Sequence, residues 1–190
     1  MSGERSSRWR IAAVLLSCVP ALLAPGGKAA ADTAWTRRAG AWSVSLYLGE
    51  RGDAWCGWTT MWTDATGGLG RSLSLQMRGA EAILFLFLEG AGTNALSPRS
   101  ELALSIDGLR EVALADLVRS LPNGFLMARG VLAADAGERV RLVARLAAAS
   151  SIELTMPGGG TWPIPATGLA QTAPALGRCL AEMEAPGPPR

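Results

Sequence analysis

The sequence contains no histidine. That excludes Ser-His-Asp and Cys-His catalysis, imidazole general bases and nearly all common zinc sites. Lysine is almost as scarce: Lys28 is the single one, so no lysine past residue 31 could form a Schiff base. The three cysteines, Cys18, Cys56 and Cys179, form neither a metal-binding cluster nor a CxxC redox motif. No DxDxDG pattern marks a calcium loop. Gly158-Gly159-Gly160 lacks the strand and GxGxxG context of a phosphate cradle. The apolar run Ala82–Leu88 is only a strand's length, too short to span a bilayer. No cofactor and no metal are expected.

What is present begins with an address. Arg5, Arg8 and Arg10 form a positive segment, Ile11 to Ala24 a short apolar run, and Ala29-Ala30-Ala31 a small-residue cleavage site. Residues 1–31 read as a secretory signal peptide, with Asp32 opening the mature chain. The alternative is a lipoprotein box, Leu15-Leu16-Ser17-Cys18, which would anchor the chain to a membrane through Cys18. The charge follows the address. The whole chain carries 18 Lys+Arg against 16 Asp+Glu, but past residue 31 there are 14 arginines and 15 carboxylates, a net charge of −1. Those arginines are interspersed with acids, so no nucleic-acid footprint remains. In an oxidising compartment Cys56 and Cys179 most simply pair as a structural disulfide between the aromatic hairpin and the last helix; the alternative is two buried thiols.

Residues 32–184 are expected to make one β-rich domain, with 185–190 a disordered tail. Its centre is the stretch from Trp42 to Trp62. Trp42, Val44, Leu46 and Leu48 alternate with Ser43, Ser45 and Tyr47, the signature of a half-buried strand. Gly49 to Asp53 reads as a turn, and Ala54 to Trp62 as the returning strand. Cys56, Trp58, Thr60 and Trp62 share one face of it; Trp55, Gly57, Thr59 and Met61 share the other. With tryptophan on both faces, Trp55, Trp58 and Trp62 are either core packing or an exposed surface for a glycan or a protein.

Further strands are expected at Leu73–Met77, Ile83–Leu88, Leu102–Ile106, Arg110–Ala115, Phe125–Val131 and Ile152–Met156, with 63–70 and 89–100 as loops. Ile83–Leu88 is apolar on both faces, so it should be central. Asp107-Gly108 is a tight hairpin turn. Ala115–Leu121 is assigned a short helical turn. Asp135 or Gly137 should cap a helix running to about Ala149. Val140, Val143, Ala144 and Ala147 are expected on one face, with a solvated stripe of Glu138, Arg141 and Arg145 on another. Trp162-Pro163-Ile164-Pro165 should lie at a sheet edge, since proline cannot serve a central ladder. A last helix begins near Thr167 and runs to Met183. The expected fold class is α+β, a mainly antiparallel sheet or sandwich with two helices near the C-terminus.

Several of these features together resemble the small exported proteins of the invasion-associated locus B group. The match rests on the leader, the Trp42-x-Val44 strand with a cysteine nearby, the Ile106-Asp107-Gly108 element, and a helix followed by Ile152-x-Leu154. The segment Trp162-x-Ile164-Pro165-x-x-Gly168-Leu169 leads into the final helix and completes it. The chain departs from the group in lacking a second, central cysteine pair. The resemblance covers about residues 35–180 and implies a β-rich periplasmic or surface protein without known catalysis.

The functional expectation is an exported, non-enzymatic accessory or binding protein of a bacterial envelope, acting through contacts with an envelope protein or polymer. The alternative from another class is a glycan hydrolase with paired carboxylates, drawn from Asp53, Asp64, Glu89 and Asp107.

Overall fold

The computed structural model describes residues 32–49, 52–63, 70–90, 96–157 and 160–185. The expected leader with Cys18, the acid Asp64 and tail residues 186–190 lie outside these described residues.

Ten strands and two helices follow in order: β1 Asp32–Ala39, β2 Trp42–Leu48, β3 Ala54–Thr63, β4 Gly70–Arg78, β5 Glu81–Glu89, β6 Glu101–Ile106, β7 Leu109–Ser120, β8 Phe125–Ala133, α1 Ala136–Ala148, β9 Ile152–Thr155, β10 Thr161–Ile164 and α2 Leu169–Glu184. The strands form one antiparallel sheet in the order β1-β2-β3-β4-β5-β8-β7-β6-β9-β10. The α+β class and the C-terminal helices are as the sequence reads.

The sheet curls. Five strands separate β4 from β10, yet the Arg71 guanidinium of β4 lies 3.6 Å from the ring centroid of Trp162 on β10. Past the end of β10, Thr167 O accepts from Ala41 N at 3.0 Å. A Cβ on Gly168 would sit 1.8 Å from Ala39 O, and one on Gly40 2.5 Å from Thr167 O. Only two glycines let these backbones pass this closely, and Gly168 also takes a φ of 101° as the residue that opens α2.

The concave face holds the main core. Trp42, Val44, Trp58, Leu75, Met77, Leu84 and Leu86 pack there with Leu176 and Cys179 of α2. β5 is buried along both faces and sits between β4 and β8, the central position its uniform apolarity requires. Its convex face carries a second cluster, Ile83, Phe85, Leu121 and Met127, with Phe87 and Phe125 against it.

Three expectations are corrected. Residues 115–121 do not form a helical turn; β7 is one strand of 12 residues. Its first half pairs with β6 and its second with β8, with a bulge between Ala115 and Leu117 where it changes partner. Each half finds its own ladder, so no helical bonds are needed. In α1, Val140 faces solvent and the buried residues are Arg139, Leu142 and Leu146. The helix is turned by Arg139, which donates to Gly79 O and, at 2.6 Å, to Glu184 Oε1. The charged stripe is also not wholly solvated, since Arg145 pairs with Glu111 on β7. As expected, Asp135 caps α1, its carboxylate accepting from Glu138 N at 2.8 Å. The remaining difference is an addition: β1 is a strand that the sequence pattern did not show.

Candidate functional site

The tryptophans of the central hairpin do not share a surface. Trp58 is fully buried. It lies on the concave face of β3, beside Cys56, with Trp42 tilted against it at 5.5 Å between ring centroids. Its indole N–H donates to Thr172 Oγ1 at 2.9 Å, and that of Trp42 to Pro165 O at 2.6 Å. Each buried indole has its partner inside the protein, so Trp58 is a core residue and leaves the candidate surface.

Trp55 faces the other way. Its ring stacks on Tyr47 at 5.5 Å and 18°, and the Arg78 guanidinium lies 4.5 Å from its centroid. Arg78 also stands 3.6 Å from Asp53. Trp55 is therefore half-buried within a cluster of its own neighbours. Trp62, at the far end of β3, packs half-buried against the main core. Cys56 and Cys179 are joined by a disulfide, with 5.9 Å between their Cα atoms and a sequence separation of 123. It ties β3 to α2 directly beside Trp58.

The candidate acids within the described residues, Asp53, Glu89 and Asp107, are engaged in structural contacts. Asp53 pairs with Arg78. Glu89 Oε2 accepts from Gly70 N at 2.7 Å. Asp107 takes a φ of 47° in the β6–β7 turn and accepts from the Ser150 hydroxyl at 2.8 Å and from Ser151 N at 2.8 Å. These bonds hold its carboxyl below the ordinary value of 3.8. Such a carboxylate is a fastener between the hairpin and the segment after α1, and a poor proton donor. Among the described residues no group of three or more Cys, Asp or Glu is placed to hold a metal ion.

The feature the sequence reading missed is on β7. Val112, Leu114 and Leu117 project from the convex face, away from both helices, and are 43%, 59% and 37% exposed. Opposite parity places Ala113 and Ala115 in the core and Glu111 against Arg145 of α1. The usual size rule is inverted here, with small residues inward and large apolar ones outward. Ion pairs flank the row. Arg110 pairs with Glu101 across the β6–β7 ladder. Arg129 grips Asp116 at the bulge through Nε, which donates to Oδ1 at 2.9 Å and Oδ2 at 3.2 Å, and through Nη2, which donates to Oδ2 at 2.6 Å. Arg129 stands in register between Leu117 on β7 and Phe85 on β5, so the row borders the convex apolar cluster. Its guanidinium pKa is raised, chiefly by the Asp116 hydrogen bond.

No protein-family model matches the chain, and no curated protein matches it. Among solved structures it is similar to invasion associated protein B from Bartonella henselae, at 17% identity and a TM-score of 0.46. The alignment covers 79% of this chain and 99% of that one. That neighbour bears the name of the group the sequence resembles; no fold assignment, residue role or function is carried over from it.

Proposed function

We propose that this chain is an exported, non-catalytic binding protein of a bacterial envelope, and that the convex face of β7 is its contact surface. The observation that carries the reading is the solvent-facing row Val112, Leu114 and Leu117, bordered by the Glu101–Arg110 and Asp116–Arg129 pairs. An apolar centre with a polar, charge-paired rim is the anatomy of a protein interface. The rim charges already satisfy one another, so the apolar row is what a partner would cover. A partner protein suits this surface better than a polymer. Trp55, whose ring is occupied by Tyr47 and Arg78, offers no comparable open face.

Export is supported by the leader-like N-terminus and by the disulfide, which persists in oxidising compartments. Among the described residues no helix is long and apolar enough to cross a membrane. A non-catalytic role is supported by the engagement of Asp53, Glu89 and Asp107 in structural contacts.

The test is site-specific photo-crosslinking in the native cell envelope. A benzophenone side chain at Leu114 should give one discrete adduct that survives extraction. The same probe at Val140, equally exposed but on α1, should give none. Absence of an adduct at 114, or equal labelling at both positions, removes the β7 face as the contact surface.

A further inference from the structure

We propose that two copies of this chain associate through the free edge of β1, in an antiparallel pairing that sets Asp32 of each against Arg37 of the other. β1 pairs with β2 on one side only, and its other backbone edge is the first edge of the sheet. Such an edge is a template for another strand unless something blunts it. The opposite edge is blunted: β10 has four residues, one of them Pro163. β1 has eight residues and no proline.

The charges on β1 are self-complementary, and a bulge makes them so. Residues five apart on a regular strand point to opposite faces. The register shift between Thr33 and Trp35 reverses that here. Asp32, opposite Leu48, and Arg37, opposite Val44, both lie on the concave face. Thr33, opposite Tyr47, and Thr36, opposite Ser45, both lie on the convex face. In a twofold antiparallel pair, directly opposed residues share a face. Setting Thr33 against Thr36 of the second copy therefore sets Asp32 against Arg37, and symmetry repeats both pairs. Arg38 falls beyond the paired residues, so no like charges meet. Neither Asp32 nor Arg37 has an ion-pair partner among the described residues. The charge pairs fix the register, while the short edge keeps the association weak and dependent on concentration.

The test is analytical ultracentrifugation of the full chain after export and processing, at low salt with its disulfide intact. The average mass is expected to rise from one chain towards two as concentration increases, and to fall back as salt is added. Asp32→Arg alone and Arg37→Asp alone each place like charges opposite one another. Each should hold the protein monomeric where the parent is dimeric. The double substitution Asp32→Arg/Arg37→Asp restores opposite charges and should restore association. Both side chains are exposed, and near-UV circular dichroism confirms that each variant is folded. A parent that stays monomeric at every concentration overturns the proposal. So does a dimer indifferent to either single change, or a double variant as dissociated as the singles. β1 and β7 are far apart in the sheet, so this edge and the β7 contact surface stand or fall separately.

Discussion

Trp58 donates its indole N–H to Thr172 Oγ1 at 2.9 Å inside the core. The same hydroxyl lies 2.9 Å from both Gly168 O and Leu169 O, so the first turn of α2 and the central hairpin share one hydrogen-bonded node. Thr172→Val keeps the shape and removes the acceptor. A buried indole N–H without a partner costs about 1–3 kcal/mol. The variant is expected to unfold at lower urea by that amount, with Thr172→Ser retaining most of the stability. Tryptophan fluorescence reads the transition, and an unchanged midpoint for Thr172→Val would show that the bond contributes nothing.

The disulfide beside that node closes 123 residues. Cross-linking so long a loop restrains the unfolded chain, and removing a native disulfide typically costs about 2–5 kcal/mol. The double substitution Cys56→Ala/Cys179→Ala is expected to lose stability in that range. Reductant should lower the urea midpoint of the parent and leave the variant unaffected. Equal midpoints for oxidised and reduced parent would mean that β3 and α2 are held by packing alone.

Asp107 gives the fold an acid-sensitive fastener. Ser150 and Ser151 bond its charged form and hold its folded pKa below 3.8. A depressed folded value means that the unfolded chain takes up the proton first as pH falls. The stabilisation is therefore complete above the ordinary carboxylate range and is lost as pH drops through the folded value. Glu182 shifts in the same direction, chiefly through the Trp35 indole N–H and then Arg178. Asp107→Asn is expected to lower the urea midpoint at neutral pH and to flatten its decline below about pH 4. An acid limb identical to that of the parent would locate the sensitivity elsewhere.

Much of this architecture is legible in the sequence where one face is apolar and one polar. The Asp107-Gly108 turn, with φ of 47° and 80°, is the two-residue hairpin its dipeptide announces. β2, β4, β6 and β9 follow their alternation. β1 was hidden because its bulge breaks the period of two and its side chains are mostly exposed. The β7 surface was hidden because its alternation is inverted: Ala113 and Ala115 fill the tight interior while Leu114 faces water. Gly130 shows how tight that interior is, since a Cβ there would stand 2.7 Å from Leu114 O. The fate of Trp55 and Trp58 depended on which face α2 covers, which no pattern within the hairpin states.

Arg139 is the clearest case of chemistry overruling pattern. Charged residues are assigned to the solvated face of a helix, yet this side chain is 7% exposed. Gly79 O takes one of its donors and Glu184 Oε1 another, while its Nε has no partner. Glu184 is 55% exposed, so solvent screens the ion pair and Glu184→Gln should cost under about 1 kcal/mol. The larger part of the residue's value lies in its packed stem and in the bond to Gly79. Arg139→Ala removes both and is expected to cost about 2–4 kcal/mol. Arg139→Met keeps the volume, removes the unsatisfied Nε, and should recover a substantial part of that loss. Denaturation in low and high salt separates the contributions. If salt abolishes the difference between parent and Arg139→Ala, the ion pair dominates; a difference that persists assigns the role to packing and the Gly79 carbonyl.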